Sequence, residues 1–179
     1  MKTRPPSSQR GVTLVEPCTV LVVIVVIVGV AVPGMQSLLD ARRLEGIATQ
    51  LAGDIRFVRS AAVARNEPLR LSLHATATGG CYVVHSGNAN QCRCIATGPA
   101  QCTGDAREIK TVTIAAADRI ALQANVASML FDPLHGTSTP AGTWRVTDRH
   151  ERRIHHVVNV MGRVRSCSPR AAATGYRAC

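Results

Sequence analysis

One apolar segment near the N-terminus limits what this chain can fold into. Residues 20–32 include no polar side chain, and from Pro17 to Met35 only Thr19 carries a conventional polar group. An apolar helix of that length is about what is needed to cross the hydrocarbon core of a bilayer. Arg10 lies just before the segment, which favours a cytoplasmic N-terminus under the positive-inside rule.

A carboxylate at the mouth of this segment argues against an ordinary secretory signal peptide. A secretory signal would be cleaved after the apolar run, where Gly29-Val30-Ala31 offers only a weak site. Glu16 is costly in lipid, and charged groups kept in membrane helices usually have a function. We therefore expect the helix to remain in the mature protein.

The residues around Glu16 resemble the class III signal of type IV pilin-like proteins. Residues 11–16, with the sequence GVTLVE, match that signal position by position. The resemblance implies cleavage between Gly11 and Val12 by a prepilin peptidase, followed by methylation of the new amino terminus. It also implies that Glu16 neutralises the terminal amine of a neighbouring subunit during assembly, an ion pair that suits a low dielectric.

The helix is expected to continue well beyond the membrane. Between Leu44 and Ala62, apolar residues recur at steps of three and four, while arginines and Asp54 occupy other faces. Asn66-Glu67-Pro68 would end the helix. We therefore predict four parts: a leader at 1–11, the membrane and assembly half of one helix at 12–35, its amphipathic half at 36–66, and a periplasmic domain at 67–179.

After Pro68 the apolar pattern changes to a period of two, which predicts strands. Besides the strand that begins at Leu69, we predict strands at 81–85, 109–115, 120–123, 128–131, 143–147 and 154–160. The stretch 86–103 is predicted to be a loop. One helix followed by several strands indicates the α+β class, and the resemblance implies a type IV pilin-like fold with the long helix packed on a small antiparallel β-domain.

Seven cysteines divide between the two regions. Cys18 lies in the apolar segment, and the polar region holds Cys81, Cys92, Cys94, Cys102, Cys167 and Cys179. An even set after a membrane-targeting signal is typical of disulfides formed in an oxidising compartment. Six cysteines can pair in many ways. We favour Cys167 with Cys179, which leaves the other four to pair among themselves. A metal site is the weaker alternative, because the Cys-x-Cys spacing is not that of a zinc knuckle.

Positive charge is concentrated near the C-terminus. The chain carries 21 basic and 11 acidic side chains, a formal charge of +10. Residues 143–179 contain eight arginines against Asp148 and Glu151. This asymmetry favours a polyanionic partner, either a nucleic acid or an anionic membrane, although a solvated surface explains the charge equally well.

No catalytic constellation is recognisable in the sequence. His150 and His155 lie five residues apart, which would put them on different faces of a helix and not on the single face that a zinc site needs. Glycine-rich phosphate loops and a nucleophile elbow are absent. We expect no enzymatic activity, no cofactor and no metal, and we interpret these histidines and His156 as strand and loop residues.

Residues 157–167 contain two arginines separated by one residue and preceded by a glycine. On an extended strand Arg163 and Arg165 would share one face, and Gly162 would permit a tight turn before them. Two neighbouring guanidinium groups suit phosphate oxygens. By itself, an Arg-x-Arg pair is most often only solvated.

This C-terminal stretch and the leader together resemble the FimT/GspH group of minor pilins and pseudopilins. In that group a late phenylalanine and a loop glycine, here Phe131 and Gly136, precede a final strand and a Gly-Arg-x-Arg-x-Cys element, here starting at Gly162. Members of the FimT type that carry this element are associated with DNA binding during natural transformation.

The resemblance implies a minor pilin of a type IV pilus, crossing the inner membrane once, with its C-terminal domain in the periplasm and later at the cell surface. Its partners would be other pilins, the prepilin peptidase and the phosphate backbone of double-stranded DNA, without sequence preference. The expected DNA-binding residues are Gly162, Arg163, Arg165, Arg152, Arg153 and Arg170. Protonation of His150, His155 and His156 would then strengthen DNA binding below about pH 6.5.

The alternative is a purely structural subunit. In that case the chain would be a minor pilin, or a pseudopilin of type II secretion, that primes or caps the fibre without binding DNA.

The leader gives the first testable prediction. The mature chain should begin at Val12 and keep its apolar helix, and substitution of Gly11 should block maturation. Glu16→Ala should still be cleaved but should enter the fibre poorly, because the neighbouring amine loses its counter-ion. Mass spectrometry of the mature protein is the measurement, and a terminus after Ala31 would contradict the prediction.

Overall fold

The computed structural model describes residues 14–76, 79–95, 98–169 and 173–179 of the 179-residue chain. The expected cleavage and methylation residues Gly11 and Val12 lie outside these ranges, and so does Arg170. The chain divides into two compact units, one reaching Leu39 and the other running from Asp40 to Cys179.

The first unit is the apolar part of helix α1, which spans Val15–Arg65. Its most apolar 18-residue window has a mean hydropathy of 2.8 and is not buried by the rest of the protein. By length and composition this stretch can cross a membrane. Glu16 lies in the first turn, where its backbone carbonyl accepts a hydrogen bond of 2.8 Å from Thr19 Oγ1. The hydroxyl group of Thr19 is therefore hydrogen-bonded within the helix.

The second half of α1 supplies one side of the hydrophobic core of the second unit. Its buried stripe repeats at three- and four-residue steps, as the sequence predicted, and each member is at most 1% exposed: Leu44, Ala48, Leu51, Ile55, Val58 and Ala62. The helix ends one residue earlier than predicted, after Arg65, because Asn66 adopts a left-handed backbone with a φ of 51°.

The strands that follow form antiparallel sheets. The strands are β1 Leu69–Thr76, β2 Gly79–Ser86, β3 Cys92–Arg93, β4 Gln101–Cys102, β5 Glu108–Ala115, β6 Ile120–Ala124, β7 Ser128–Phe131, β8 Ser138–Thr139, β9 Gly142–Asp148, β10 Arg153–Val158 and β11 Val164–Cys167. A five-stranded sheet has the order β5-β2-β1-β7-β8, a four-stranded sheet has the order β11-β10-β9-β6, and β3 pairs with β4 in a short ribbon.

Both sheets contribute apolar side chains to the core that α1 covers. Phe131 and Tyr82 come from the five-stranded sheet, and Trp144 and Ile154 come from the four-stranded sheet. The structure therefore confirms the α+β class and the pilin-like packing of one long helix on an antiparallel β-domain. Every predicted strand is present, with ends displaced by a few residues.

The differences from the predicted strands occur where turns or disulfides define short elements. The strand predicted at 154–160 ends at Val158, because Asn159 begins a turn that leads back into β11. The predicted loop at 86–103 contains the two-residue strands β3 and β4, whose paired Cys92 and Cys102 are joined by a disulfide. Such short pairs show no periodicity in the sequence, so the pattern could not predict them.

Asp54 also differs from its predicted position on an outer face of α1. It is 6% exposed, and its carboxylate accepts hydrogen bonds of 2.7 Å from Tyr82 Oη and 2.6 Å from Lys110 Nζ. Burial, together with this hydrogen bond, raises the pKa of Tyr82 well above its ordinary value. A charge can be buried at this position because both of its oxygens have donors.

Three disulfides link the six cysteines outside the apolar segment: Cys81–Cys94, Cys92–Cys102 and Cys167–Cys179. The structure thus pairs the two C-terminal cysteines as expected and joins the other four among themselves. Cys18 is exposed and has no disulfide. Val83 and Ala106 pack around buried Cys92 in a small second core, so the disulfides support a region that has little apolar packing of its own.

The disulfides lead to a prediction about thiol content and stability. The oxidised protein should show no reactive thiol at the six paired positions, and reduction should lower its free energy of unfolding by a few kcal/mol, because the unfolded chain loses its cross-links. Thiol titration with and without denaturant is the measurement, with Cys18→Ser as the background to remove the remaining thiol. Four or more reactive thiols in that folded variant would contradict the prediction.

Candidate nucleic-acid interface

The Gly-Arg-x-Arg element lies in the hairpin between β10 and β11. Asn159 closes the turn: its carbonyl accepts a hydrogen bond of 2.8 Å from the Gly162 amide, and its Oδ1 accepts one of 2.9 Å from the Arg163 amide. Gly162 has a φ of +69°, a conformation that a side chain would strain. The asparagine and the glycine therefore define the turn from which both arginines extend.

Gly162 also lies against Gly136, the loop glycine that precedes the final strand in the family resemblance. A Cβ at position 162 would collide with the carbonyl oxygen of Gly136 and lie 3.0 Å from the Arg59 side chain. Arg59 Nε donates a 2.9 Å hydrogen bond to the same Gly136 oxygen. Gly136 and Gly162, which are distant in sequence, thus meet beside Arg59 of α1. Phe131, at the start of the loop that contains Gly136, is fully buried in the core.

Arg163 and Arg165 are both exposed, but they line different cavities. Arg163 precedes β11 and faces a groove of about 690 Å³ together with residues of α1. Arg165 lies on β11 and lines a cavity of about 430 Å³ with residues 177–179. The structure therefore does not pair the two guanidinium groups over one pocket. Arg163 and Arg165 therefore lie on opposite sides of β11, the edge strand of the four-stranded sheet.

The outer face of the four-stranded sheet is basic. Alternation along the strands puts Arg145, Arg153 and Arg165 on the face opposite the core, with His155 between them. No residue on the outer face of β6, β9, β10 or β11 carries a carboxylate, and all four strands are fully described. Three arginines therefore share a surface on which the four strands place no acidic side chain.

Arg177 joins this surface through the C-terminal disulfide. The Cys167–Cys179 bond brings the end of the chain back to β11, and the Ser168 amide donates a 2.8 Å hydrogen bond to the Arg177 carbonyl. Arg177 and Arg165 then line the same cavity. Neither Arg177 nor Arg145 was among the predicted site residues. The cysteine pairing was the available signal for Arg177, since each arginine lies two residues before its cysteine.

Arg152 occupies a different environment from the one expected. Its Nη2 lies 2.6 Å from the Asp148 Oδ2, and Asp148 is almost fully buried on the core side of β9. The Arg152 charge is thus already compensated within the protein. Arg153 is exposed at the start of β10, as a DNA contact requires.

The three histidines that were expected to gain charge below about pH 6.5 lie in different environments. Burial lowers the pKa of His155, and the charges of Arg145 and Arg153 lower it further. Burial also lowers the pKa of His156 to about 4; this residue is on the core face, with Nδ1 2.8 Å from Ser166 Oγ. The pKa of each of these two histidines therefore lies below its ordinary value, so their protonation requires a lower pH than the sequence alone suggested. His150 lies elsewhere, 3.3 Å from the Asp40 carboxylate.

In the described part of the chain, no three His, Cys, Asp or Glu side chains are grouped in a way that could hold a metal ion. The surface offers positively charged hydrogen-bond donors, which are suited to anions and to phosphate in particular.

The fold is similar to that of the type IV minor pilin FimU from Pseudomonas aeruginosa strain PAO1. The match to its P21 crystal structure has a TM-score of 0.53 at 15% identity and covers 73% of this chain and 96% of FimU. The P65 crystal structure of the same protein matches with a TM-score of 0.49 at 15% identity, covering 72% and 98%. At this identity the likeness concerns the fold, which is that of type IV pilin-like subunits. No curated protein sequence matches the chain.

The chain belongs to the GspH family, described as "Type II transport protein GspH", whose profile matches residues 48–162. This range runs from the amphipathic half of α1 to Gly162. The protein is therefore a minor pilin or pseudopilin of the type II and type IV systems. It is a structural component that assembles with other pilins, not an enzyme, and its apolar N-terminal helix is the membrane anchor of that class.

The buried histidine predicts how stability depends on pH. His156 titrates at about 4 in the folded protein against 6.5 in an unfolded chain, so the unfolded state binds more protons between these values. Stability should fall as the pH drops from about 6.5 to 4, by on the order of 3 kcal/mol from this residue. Chemical denaturation at several pH values measures the slope. His156→Asn should be less stable at pH 7 but should lose less on acidification, and equal slopes for both proteins would contradict the assignment.

Proposed function

We propose that this protein is a minor pilin of a type IV pilus that binds extracellular double-stranded DNA for uptake in natural transformation. The observation that carries the proposal is the outer face of the four-stranded sheet, where Arg145, Arg153 and Arg165 stand without a carboxylate and Arg177 is held beside them by a disulfide. Arg163 extends the same basic surface over the sheet edge.

The chemistry of this surface favours the phosphate backbone over the bases. Arginine forms forked hydrogen bonds to phosphate oxygens, and the bond energy does not depend on sequence. Stacking on bases would require exposed aromatic rings. Of the five aromatic side chains, Trp144, Tyr82 and Phe131 are fully buried in the core, where the first two pack edge to face with ring centroids 6.5 Å apart. Only Phe57 and the partly buried Tyr176 reach the surface, too few to form a stacking platform. DNA binding should therefore be indifferent to sequence.

The anchor and its processing complete the proposal. The leader 1–11 is removed between Gly11 and Val12 by the prepilin peptidase, and the new terminus is methylated. Residues 12–35 cross the inner membrane and then assemble the fibre, with Glu16 neutralising the amine of a neighbouring subunit. Residues 36–66 and the periplasmic domain 67–179 present the basic face. An apolar span that starts with a carboxylate in its first helical turn supports this arrangement.

The second candidate is a purely structural pseudopilin of type II secretion. The family description as a type II transport protein favours it. On this alternative the basic face contacts other subunits or only solvent, and the chain primes or caps the fibre without binding nucleic acid.

The two candidates differ in the effect of removing the two arginines of the Gly-Arg-x-Arg element. Arg163→Gln together with Arg165→Gln should weaken binding to duplex DNA roughly tenfold or more, since charge-assisted hydrogen bonds of about 1.5 kcal/mol or more are lost. The plot of log affinity against log salt should flatten by about one unit for each lost phosphate contact. Fluorescence anisotropy on the full chain in a neutral detergent measures both quantities.

The matched control removes two exposed arginines from outside the four-stranded sheet, Arg93→Gln with Arg107→Gln. It changes the net charge equally and should leave DNA affinity near the wild-type value. Arg170→Gln should add a smaller loss. Equal binding by the wild-type chain and the Arg163/Arg165 variant at physiological salt, or no binding by either, would leave the structural candidate as the better account.

A further inference from the structure

We infer that helix α1 forms half of the DNA-binding site: phosphates enter the groove between α1 and the β10–β11 hairpin, where Arg56 and Arg59 face Arg163. This inference rests on the proposed function and extends it from the C-terminal element to the helix. The groove measures about 690 Å³ and is lined on the helix side by Arg56, Arg59, Ser60 and Ala64 and on the hairpin side by Gly162 and Arg163.

The helical side of the groove is one continuous face of α1. Arg56, Arg59, Ser60 and Val63 are separated by three, four and seven residues, the spacing that puts side chains above one another on a helix. The two arginines therefore stand one turn apart along the wall of the groove. Ser60 and Ala64 are small, which keeps the space between the arginines open to a ligand.

The charges of the groove are not neutralised by its own lining, which contains three guanidinium groups and no carboxylate. The carboxylate of Asp54, two residues before Arg56, is buried and accepts hydrogen bonds from Tyr82 and Lys110. Arg59 uses Nε for the Gly136 carbonyl, and among the described residues no hydrogen bond is made by its Nη atoms. Those atoms remain available to an anion.

Gly162 explains how the hairpin and the helix come close enough to share a ligand. Any side chain at this position would collide with Gly136 and lie against Arg59, so only glycine lets the turn pack beside α1. Arg163 follows directly and lines the groove, whereas Arg165 lies on the outer sheet face. The basic surface therefore crosses the edge strand β11, and DNA bound there contacts both sides of that strand.

The experiment compares two substitutions in the groove with matched substitutions elsewhere on the same helix. Arg56→Gln removes one guanidinium group, and Ser60→Glu adds a carboxylate without removing an arginine. Their controls are Arg43→Gln and Gln50→Glu, which are exposed on α1. Along the helix, Arg43 lies about 20 Å from Arg56, and Gln50 lies about 15 Å from Ser60. Both distances exceed the Debye length of about 8 Å at physiological salt. Arg59 is left unchanged because its bond to Gly136 supports the fold.

Affinity for a duplex DNA of mixed sequence is measured by fluorescence anisotropy on the full chain in a neutral detergent, and thermal unfolding verifies that each variant is folded. Arg56→Gln should weaken binding by roughly three- to tenfold and flatten the salt plot by about one unit. Ser60→Glu should weaken it at least as much. Both controls should stay close to the wild-type affinity.

The outcomes separate this inference from the function on which it rests. If the two groove variants bind like their controls while the Arg163/Arg165 variant is weakened, the groove is not part of the site, and DNA binding by the outer face stands. If the wild-type chain does not bind duplex DNA, the inference and the proposed function both fail.

Discussion

The burial of a single stripe of α1 against both sheets is the interaction on which the rest of the domain depends. Six side chains from Leu44 to Ala62 lose nearly all contact with water, each of the larger ones contributing about 1.5 to 3 kcal/mol. The same helix begins as an apolar membrane-length segment. One element is therefore apolar on all of its faces in its first part and packs only one face against the domain in its second, which is why its apolar pattern changes along its length.

Three buried aspartates hold parts of the fold together through basic side chains. Asp54 accepts hydrogen bonds from Tyr82 and Lys110 inside the domain. Asp148 forms an ion pair with Arg152 at the start of the β9–β10 turn, and Asp40 forms one with Arg149 at 2.7 Å. Burial acts to raise the pKa of Asp40, but the charge of Arg149 and the hydrogen bonds from His150 and Arg149 leave it below its ordinary value. These three aspartates therefore offset positive charge at fixed places in the fold and not on the outer face of the four-stranded sheet.

Local patterns in the sequence predicted the helix and the strands better than they predicted which side chains meet at the surface. The three- and four-residue period found the buried stripe of α1, the two-residue period found the longer strands, and Cys167–Cys179 followed from counting cysteines. Arg56 could not be connected with Arg163 from sequence, because their proximity depends on Gly136 and Gly162 meeting beside the helix. The ion pair of Arg152 was hidden for a related reason: nothing in the sequence indicates that Asp148 is buried on the core side of β9 and binds it.

The C-terminal disulfide also makes the basic surface dependent on the oxidation state of two cysteines. Cys167–Cys179 keeps Arg177 beside Arg165 by closing a short covalent loop, with one backbone hydrogen bond at Ser168 as further support. In a reducing environment that loop is open, and the last arginine loses the bond that holds it against β11. A subunit in which this bond has not yet formed would therefore carry an incomplete basic face.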